Sequence, residues 1–187
     1  MTEAIKIKVQ PISAEAFKPY GQMLENKQPV FPEVDPGEGR VAIEMQHLKP
    51  RPAETTHLEQ MAIHFSYNQT FIPMQGTMVV VVAPAPRNTT AGQAAYDFDY
   101  AHAAAFVLKP GQAAFIDKGV WHNAFMLGPQ CTFINVTRKN PGEGTTRETG
   151  GDLALTRSRR PYVEFVDLKQ RDNRVLELEL GVFKDLH

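Results

Sequence analysis

Fourteen prolines and thirteen glycines cut the 187 residues into short pieces, and most pieces alternate apolar and polar side chains with a period of two. A chain broken this often cannot build long helices. Alternation instead puts one face of each piece toward a core and the other toward solvent or a cavity, as strands do. IKIKVQ alternates. VAIEMQH sets Val41, Ile43, Met45 and His47 on one face. QMAIHFS sets Met61, Ile63 and Phe65 on one face and Gln60, Ala62 and His64 on the other. TMVVVVA is a continuous β-branched run of the kind that is covered on both faces. AAFVL, QAAFI, HNAFM and QCTFINVT follow as further strands, separated by turns at Pro110-Gly111, Gly119 and Gly128-Pro129. Gly76 is expected to close another turn. One short helix is signalled, with Ser13 as its N-cap and Glu15 in the first turn. The pattern predicts an all-β barrel or double sheet with one or two short helices, in a single domain over 1–187.

Loops are expected at 84–93 and at 138–161, the latter rich in Gly, Thr, Arg and Glu. YVEFVDL and RVLELEL flank KQRDN, which predicts a C-terminal hairpin over 162–181. The valine-rich strand and LELEL offer edges that proteins usually cover, so a homodimer is expected.

Charge narrows the partners. Twenty basic and 21 acidic residues leave a formal charge of −1, with no basic excess to neutralise phosphates, so nucleic acid is not an expected partner. MTEAIKIKVQPI is not a secretory signal, and the longest apolar run is too short to span a bilayer. Cys131 is the single cysteine, in an apolar alternating run that predicts a buried, inert thiol. These features favour the cytoplasm, with no membrane association.

The polar residues embedded in strands carry the chemistry. His64 faces away from Met61, Ile63 and Phe65, alongside small or polar neighbours, as a pocket-lining residue would. Gln69 opens the next apolar run and can lie near His64. His122 follows the only tryptophan, Trp121, after a turn at Asp117-Lys118-Gly119. A barrel would bring His64 and His122 together. His47, His57 and His102 have no informative spacing.

The spacing resembles the cupin superfamily. His64, Gln69 and Gly76 fall where its first motif has the second histidine, the glutamate and the glycine, and Ala62 stands where the first histidine would be. Gly111, Asp117, Gly119 and His122 fall on the second motif, with Asp117 in place of a proline. A narrower resemblance is to the ureidoglycolate lyases, also called ureidoglycolate hydrolases, of allantoin degradation. VQPISAEAFKPYGQMLE is similar to their opening. His64, Gln69, Phe71, Ile72, Pro73, Met74, Gly76 and Val79 to Val82 match their histidine, Q-x-F-I-P-M-x-G and valine-rich strand. Ala105, Phe106, Val120, Trp121 and His122 match later positions.

The resemblance implies a double-stranded β-helix barrel, or jelly roll, and a small-molecule substrate, with cleavage of (S)-ureidoglycolate to glyoxylate and urea. It implies His122 as base or ligand, His64 as ligand or orienting group, and Gln69 as a hydrogen-bonding group to substrate. Phe71, Lys118 and Trp121 would line the substrate site. A divalent metal (nickel, manganese or zinc) would be held by His64 and His122, with Asp117 as a further donor. The family arginine before the A-F pair is replaced by Ala104, which leaves carboxylate recognition to Lys118, Arg40 or Arg138. The related readings are a cupin acting on another small hydroxy acid or amide, and a non-catalytic small-molecule-binding cupin.

Overall fold

A computed structural model describes residues 2–25, 29–32, 39–50, 56–87, 97–139 and 163–186. The strands are β1 (Glu3–Pro11), β2 (Gly21–Met23), β3 (Arg40–Leu48), β4 (His57–Leu58), β5 (Gln60–His64), β6 (Gln69–Ala83), β7 (Ala104–Leu108), β8 (Ala114–Ile116), β9 (Trp121–Lys139), β10 (Val163–Asp167) and β11 (Arg174–Glu179). Among the described residues there are also two short helices, α1 (Ala14–Phe17) and α2 (Leu168–Asp172), and two 3₁₀ turns. The Ser13 side chain accepts from the Ala16 N–H at 3.2 Å, so the first helix starts where its cap predicts. The chain is all-β, as the alternation requires.

The architecture rests on β6 and β9, two long antiparallel strands that pair from end to end. The first part of β6 also pairs with β8, and β8 with β2. The second part pairs with β7, and β7 with β1. On the other side, the late half of β9 pairs with β3 and its start with β5, which in turn pairs with β10. Two sheet halves therefore share the same long strands and form a barrel-like double sheet. Val80, Val82, Met78, Phe71, Ala124, Met126, Phe133, Phe106 and Ile116 fill one core between them. Val79, Val81, Met61, Ile63, Trp121 and Phe125 fill a second core on the opposite face, closed by Leu58, Leu176, Leu178 and Leu168. The uninterrupted valines of β6 follow from this: alternate valines feed different cores, so neither face of the strand meets water.

Several expected turns have a different form. Gly76 and Gly128-Pro129 do not reverse the chain. They lie within β6 and β9, where the register shifts between Pro73 and Gln75 and again between Gln75 and Thr77. HNAFM and QCTFINVT are thus one bent strand. Gly76 has φ +75°, and a Cβ there would lie 1.9 Å from the Gln130 carbonyl oxygen. Backbone crowding and a left-handed φ both require glycine at this bend. Gly76→Ala is expected to cost roughly 2–4 kcal/mol, read as a lower midpoint in chemical denaturation. An unchanged midpoint would remove the bend from the list of structural constraints. Pro110-Gly111 does form its turn, with the Gln112 N–H donating to the Lys109 carbonyl at 3.0 Å.

The C-terminal hairpin is corrected. β10 pairs with β5, whereas β11 pairs with β1 in parallel and with β4. The linker folds as α2, capped by Asp167, whose side chain accepts from the Gln170 N–H, and ended by Asn173 at φ 55°. That helix turns the chain out of one sheet and across the second core, so the two flanking strands cannot pair with each other. The loop expected at 138–161 starts later, because Arg138 and Lys139 still belong to β9, paired with Val41 and Arg40. The rest of that segment lies outside the described residues, as do residues 88–93 of the earlier loop.

The edges named for dimerisation are not edges. β6 runs between β7 and β9, and β11 between β1 and β4. The apolar row of VAIEMQH instead faces outward on β3: Val41, Ile43 and Met45 are 56%, 72% and 64% exposed. The half-buried face carries Ala42, Glu44 and Gln46. Cys131 is buried, and burial pushes its thiol up to about 11. Among the described residues no helix is long and apolar enough to cross a membrane.

Candidate active site

β5 and β9 are adjacent, and Ala62 stands opposite His122 in their register. Alternation along β5 then brings His64 to the same face. The two imidazoles stack with centroids 5.0 Å apart and planes 26° apart. The turn at Asp117–Gly119 is fastened beneath them by the Gly119 N–H, which donates to the His64 carbonyl at 2.6 Å. Both sequence-predicted histidines therefore share one wall of the inner core. Tyr67, from the link between β5 and β6, packs 4.6 Å from the His64 ring. Phe71 meets His122 edge-on at 6.1 Å and Phe133 at 5.2 Å.

His122 is only 3% exposed, and its Nδ1 lies 2.9 Å from the Val120 carbonyl oxygen. A carbonyl only accepts, so Nδ1 carries the proton and Nε2 keeps its lone pair. Burial pushes the His122 imidazole down to about 4, against the opposing pull of that carbonyl. His64 is held well below the usual histidine range by burial, with His122 adding in the same direction and Gln69 opposing. Its side chain is half-buried, but Nδ1 is shut off from solvent and makes no hydrogen bond among the described residues. Both rings are therefore neutral near pH 7, and charging one disfavours charging the other.

Gln69 lies on the same inner face, 7% exposed. Its Nε2 donates to Asn135 Oδ1 at 2.8 Å, and its Oε1 makes no hydrogen bond among the described residues. Asn135 Nδ2 in turn donates to Glu44 Oε2 at 3.3 Å, and Gln46 Nε2 donates to the same oxygen at 3.0 Å. Sequence reading missed Glu44, Gln46 and Asn135. Their signal was present: Asn135 is a polar residue in the buried row Phe133, Asn135, Thr137. Glu44 and Gln46 alternate with the apolar row Val41, Ile43 and Met45, which is the exposed one.

Trp121 is corrected. It neighbours His122 in the chain, and neighbours in a strand point to opposite faces. Trp121 is fully buried in the other core, with its Nε1–H donating to the Asp97 carbonyl at 3.1 Å and Phe98 at 5.7 Å. It does not line the histidine face. Asp117 is exposed in its turn, and Lys118 beside it is half-buried. Among the described residues no group of three or more His, Cys, Asp or Glu gathers around the rings, so Asp117 does not complete a ligand set. Two imidazoles and a neutral amide oxygen fall short of the three strong donors that hold a catalytic divalent ion. The described residues do not fit a resident metal.

Ala104 marks where the arginine of the resemblance would stand. It pairs with Val82, which pairs on its other side with His122. The missing guanidinium would thus have been two strands from the imidazole on the same face. Arg40 lies by alternation on the face of Glu44, whereas Arg138 lies on the opposite face of β9 and donates to the Gly39 carbonyl.

Comparison with known proteins gives this arrangement a family. A curated ureidoglycolate lyase of Escherichia coli (strain SMS-3-5 / SECEC) is 25% identical over 150 residues, covering 72% of this chain and 88% of that one. Among solved structures, Cellulomonas parahominis L-ribose isomerase is similar over 75% of this chain and 64% of its own, at 12% identity and a TM-score of 0.45. Bacillus subtilis oxalate decarboxylase, a protein with Mn(II) centres, is similar over 72% of this chain and 29% of its own, at 14% identity and a TM-score of 0.38. The family model described as Ureidoglycolate lyase matches residues 32–149, which hold both histidines, Gln69 and the whole of the β6–β9 pair. With more than half of its length matched, the chain belongs to the ureidoglycolate lyase family.

Proposed function

We propose that this protein cleaves (S)-ureidoglycolate to glyoxylate and urea, as a carbon–nitrogen lyase. One observation carries the reading: a stacked, neutral histidine pair on the inner face, with His122 Nε2 left as a free base by the bond from Nδ1 to Val120. The reaction is collapse of a carbinolamide. A base removes the hydroxyl proton, the oxygen lone pair becomes the aldehyde carbonyl, the C–N bond breaks, and the departing nitrogen gains a proton. No bond to the protein forms. His122 Nε2 takes the hydroxyl proton and, as the imidazolium so formed, returns it to the departing nitrogen, while His64 orients the substrate beside it.

The low basicity of His122 fits this role once substrate is counted. A bound carboxylate favours the imidazolium and raises the ring back toward neutrality, where a general base is most effective. Lys118, beside the turn fastened to His64, and Arg40, on the Glu44 face, are the candidate partners for that carboxylate. The replacement of arginine by Ala104 favours a second reading, in which the substrate is a related small hydroxy acid or amide.

The test is urea release from ureidoglycolate, run beside a panel of other ureido and hydroxy acids. Wild-type protein that releases no urea, with or without added nickel, manganese or zinc, removes the lyase assignment.

The homodimer is also proposed, now through β3. Its exposed Val41, Ile43 and Met45 form one apolar row, and among the described residues only β9 pairs with it. Light scattering at micromolar concentration is expected to give twice the chain mass, and to give the monomer mass for Ile43→Lys. A monomeric wild type counts against it.

A further inference from the structure

Glu44 organises a part of the inner wall that the histidine chemistry does not use. Its Oε2 accepts from Gln46 Nε2 at 3.0 Å and from Asn135 Nδ2 at 3.3 Å. A carboxylate only accepts, so both amides must turn their NH₂ groups toward it. Asn135 then presents Oδ1 to Gln69, and Gln69 must answer with its own NH₂ at 2.8 Å. The orientation of all three amides follows from one negative charge. Gln46 Oε1 and Gln69 Oε1 are both buried without a close hydrogen-bond partner among the described residues, and Gln69 also faces the His64 ring, whose basicity it raises. Buried carbonyl oxygens without partners are costly, at about 1–3 kcal/mol each, and rare in folded proteins.

The register places these groups on one face. Glu44 is opposite Asn135 in the β3–β9 pair, Gln46 is opposite Phe133, and Phe71 is opposite Asn135 in the β6–β9 pair. Gln46, Glu44, Asn135 and Gln69 thus edge a patch whose apolar floor is Phe71 and Phe133. His122 adjoins it through Phe71.

We propose that this patch is the recognition site for the N–H edge of a ureido or carboxamide group, with Gln46 Oε1 and Gln69 Oε1 as its acceptors and Glu44 as the residue that fixes their polarity. This rests on the proposed lyase reading and deepens it by assigning the end of the substrate that the histidines do not handle. A ureido group offers N–H donors from both nitrogens, which two fixed acceptors can meet. An ester of the same shape offers none and would leave both oxygens unpaired. Sites built this way reject the analogue that lacks the donor.

The experiment uses unreactive ligands, so that it does not depend on turnover. Ureidoacetate lacks the hydroxyl and cannot collapse. Succinamate replaces its inner N–H by CH₂, and monomethyl succinate removes every N–H while keeping the carboxylate. Calorimetry on the full-length protein is expected to rank them in that order, with at least about tenfold between first and last. Glu44→Gln should reduce that preference to near unity, because the amides are then free to turn. Glu44→Asp should keep most of it. Gln46→Met, close in volume but without the acceptor, tests the site if Glu44→Gln does not fold, and should lose preference for ureidoacetate over succinamate or monomethyl succinate.

Equal binding of ureidoacetate and monomethyl succinate by wild type, or no binding of ureidoacetate at millimolar concentration, overturns the proposal. So does an unchanged preference in folded Glu44→Gln or in Gln46→Met. The two readings fail separately. Protein that ranks the ligands as expected but releases no urea from ureidoglycolate keeps the recognition site and loses the lyase. Protein that releases urea while Glu44→Gln keeps the full ligand preference does the reverse.

Discussion

His122→Ala is expected to lower urea release from ureidoglycolate by at least about 100-fold, the lower end of what a positioned general base supplies. The loss should fall on kcat, since the base acts on the proton in flight and the substrate's binding groups remain. Removing a buried side chain also leaves a cavity, so a second variant separates chemistry from packing. His122→Gln fills most of the space and can still donate to the Val120 carbonyl, but it has no basic nitrogen. Both variants should be equally slow. If His122→Gln keeps more than roughly a tenth of the wild-type rate, Nε2 is not the base, and His64 becomes the group to test.

The sequence pointed to the histidine pair because two independent cues converged. Alternation set His64 apart from Met61 and Ile63, and the strand following the Gly119 turn offered His122. Pairing of β5 with β9 needed only that these strands be neighbours, which the family resemblance supplied. The resemblance puts Trp121 in the substrate site beside His122, whereas alternation sets consecutive strand residues on opposite faces. On β3 alternation leaves the choice of inner face open. There the apolar row is the exposed one, since the inner row must supply Glu44 and Gln46 to the polar wall, and a period of two does not say which face is inside. Gly76 and Gly128-Pro129 carried real backbone signals, but a glycine that permits a turn equally permits a bulge. The choice was made by the long-range pairing of β6 with β9, which joins residues 38 to 66 positions apart (Ala83 with Trp121, Thr70 with Val136) and which no local pattern encodes.

Acid should unfold this protein in a window set by the same buried ring. His122 is held at about 4 in the folded state against 6.5 for an ordinary histidine. Between those values the unfolded chain takes up a proton that the folded chain refuses, so unfolding becomes easier as pH falls. The sign is fixed by this: the contribution is complete above about 6.5 and is lost as pH drops toward 4. A depression of this size corresponds to roughly 3 kcal/mol, a large share of a typical domain's stability. His64, lowered for the same reason of burial, acts in the same direction. Carboxylates begin to titrate at the acid end, so the measurement is a difference. Denaturant midpoints of wild type and His122→Gln are compared from pH 7.5 down to pH 4.5, and the gap between the two stabilities should change in favour of the variant as pH falls. A constant gap would mean that His122 titrates normally in the folded protein. An anionic ligand beside the ring should then restore part of the loss, because it favours the imidazolium in the folded state, and ureidoacetate added at pH 5 should raise the wild-type midpoint more than that of His122→Gln.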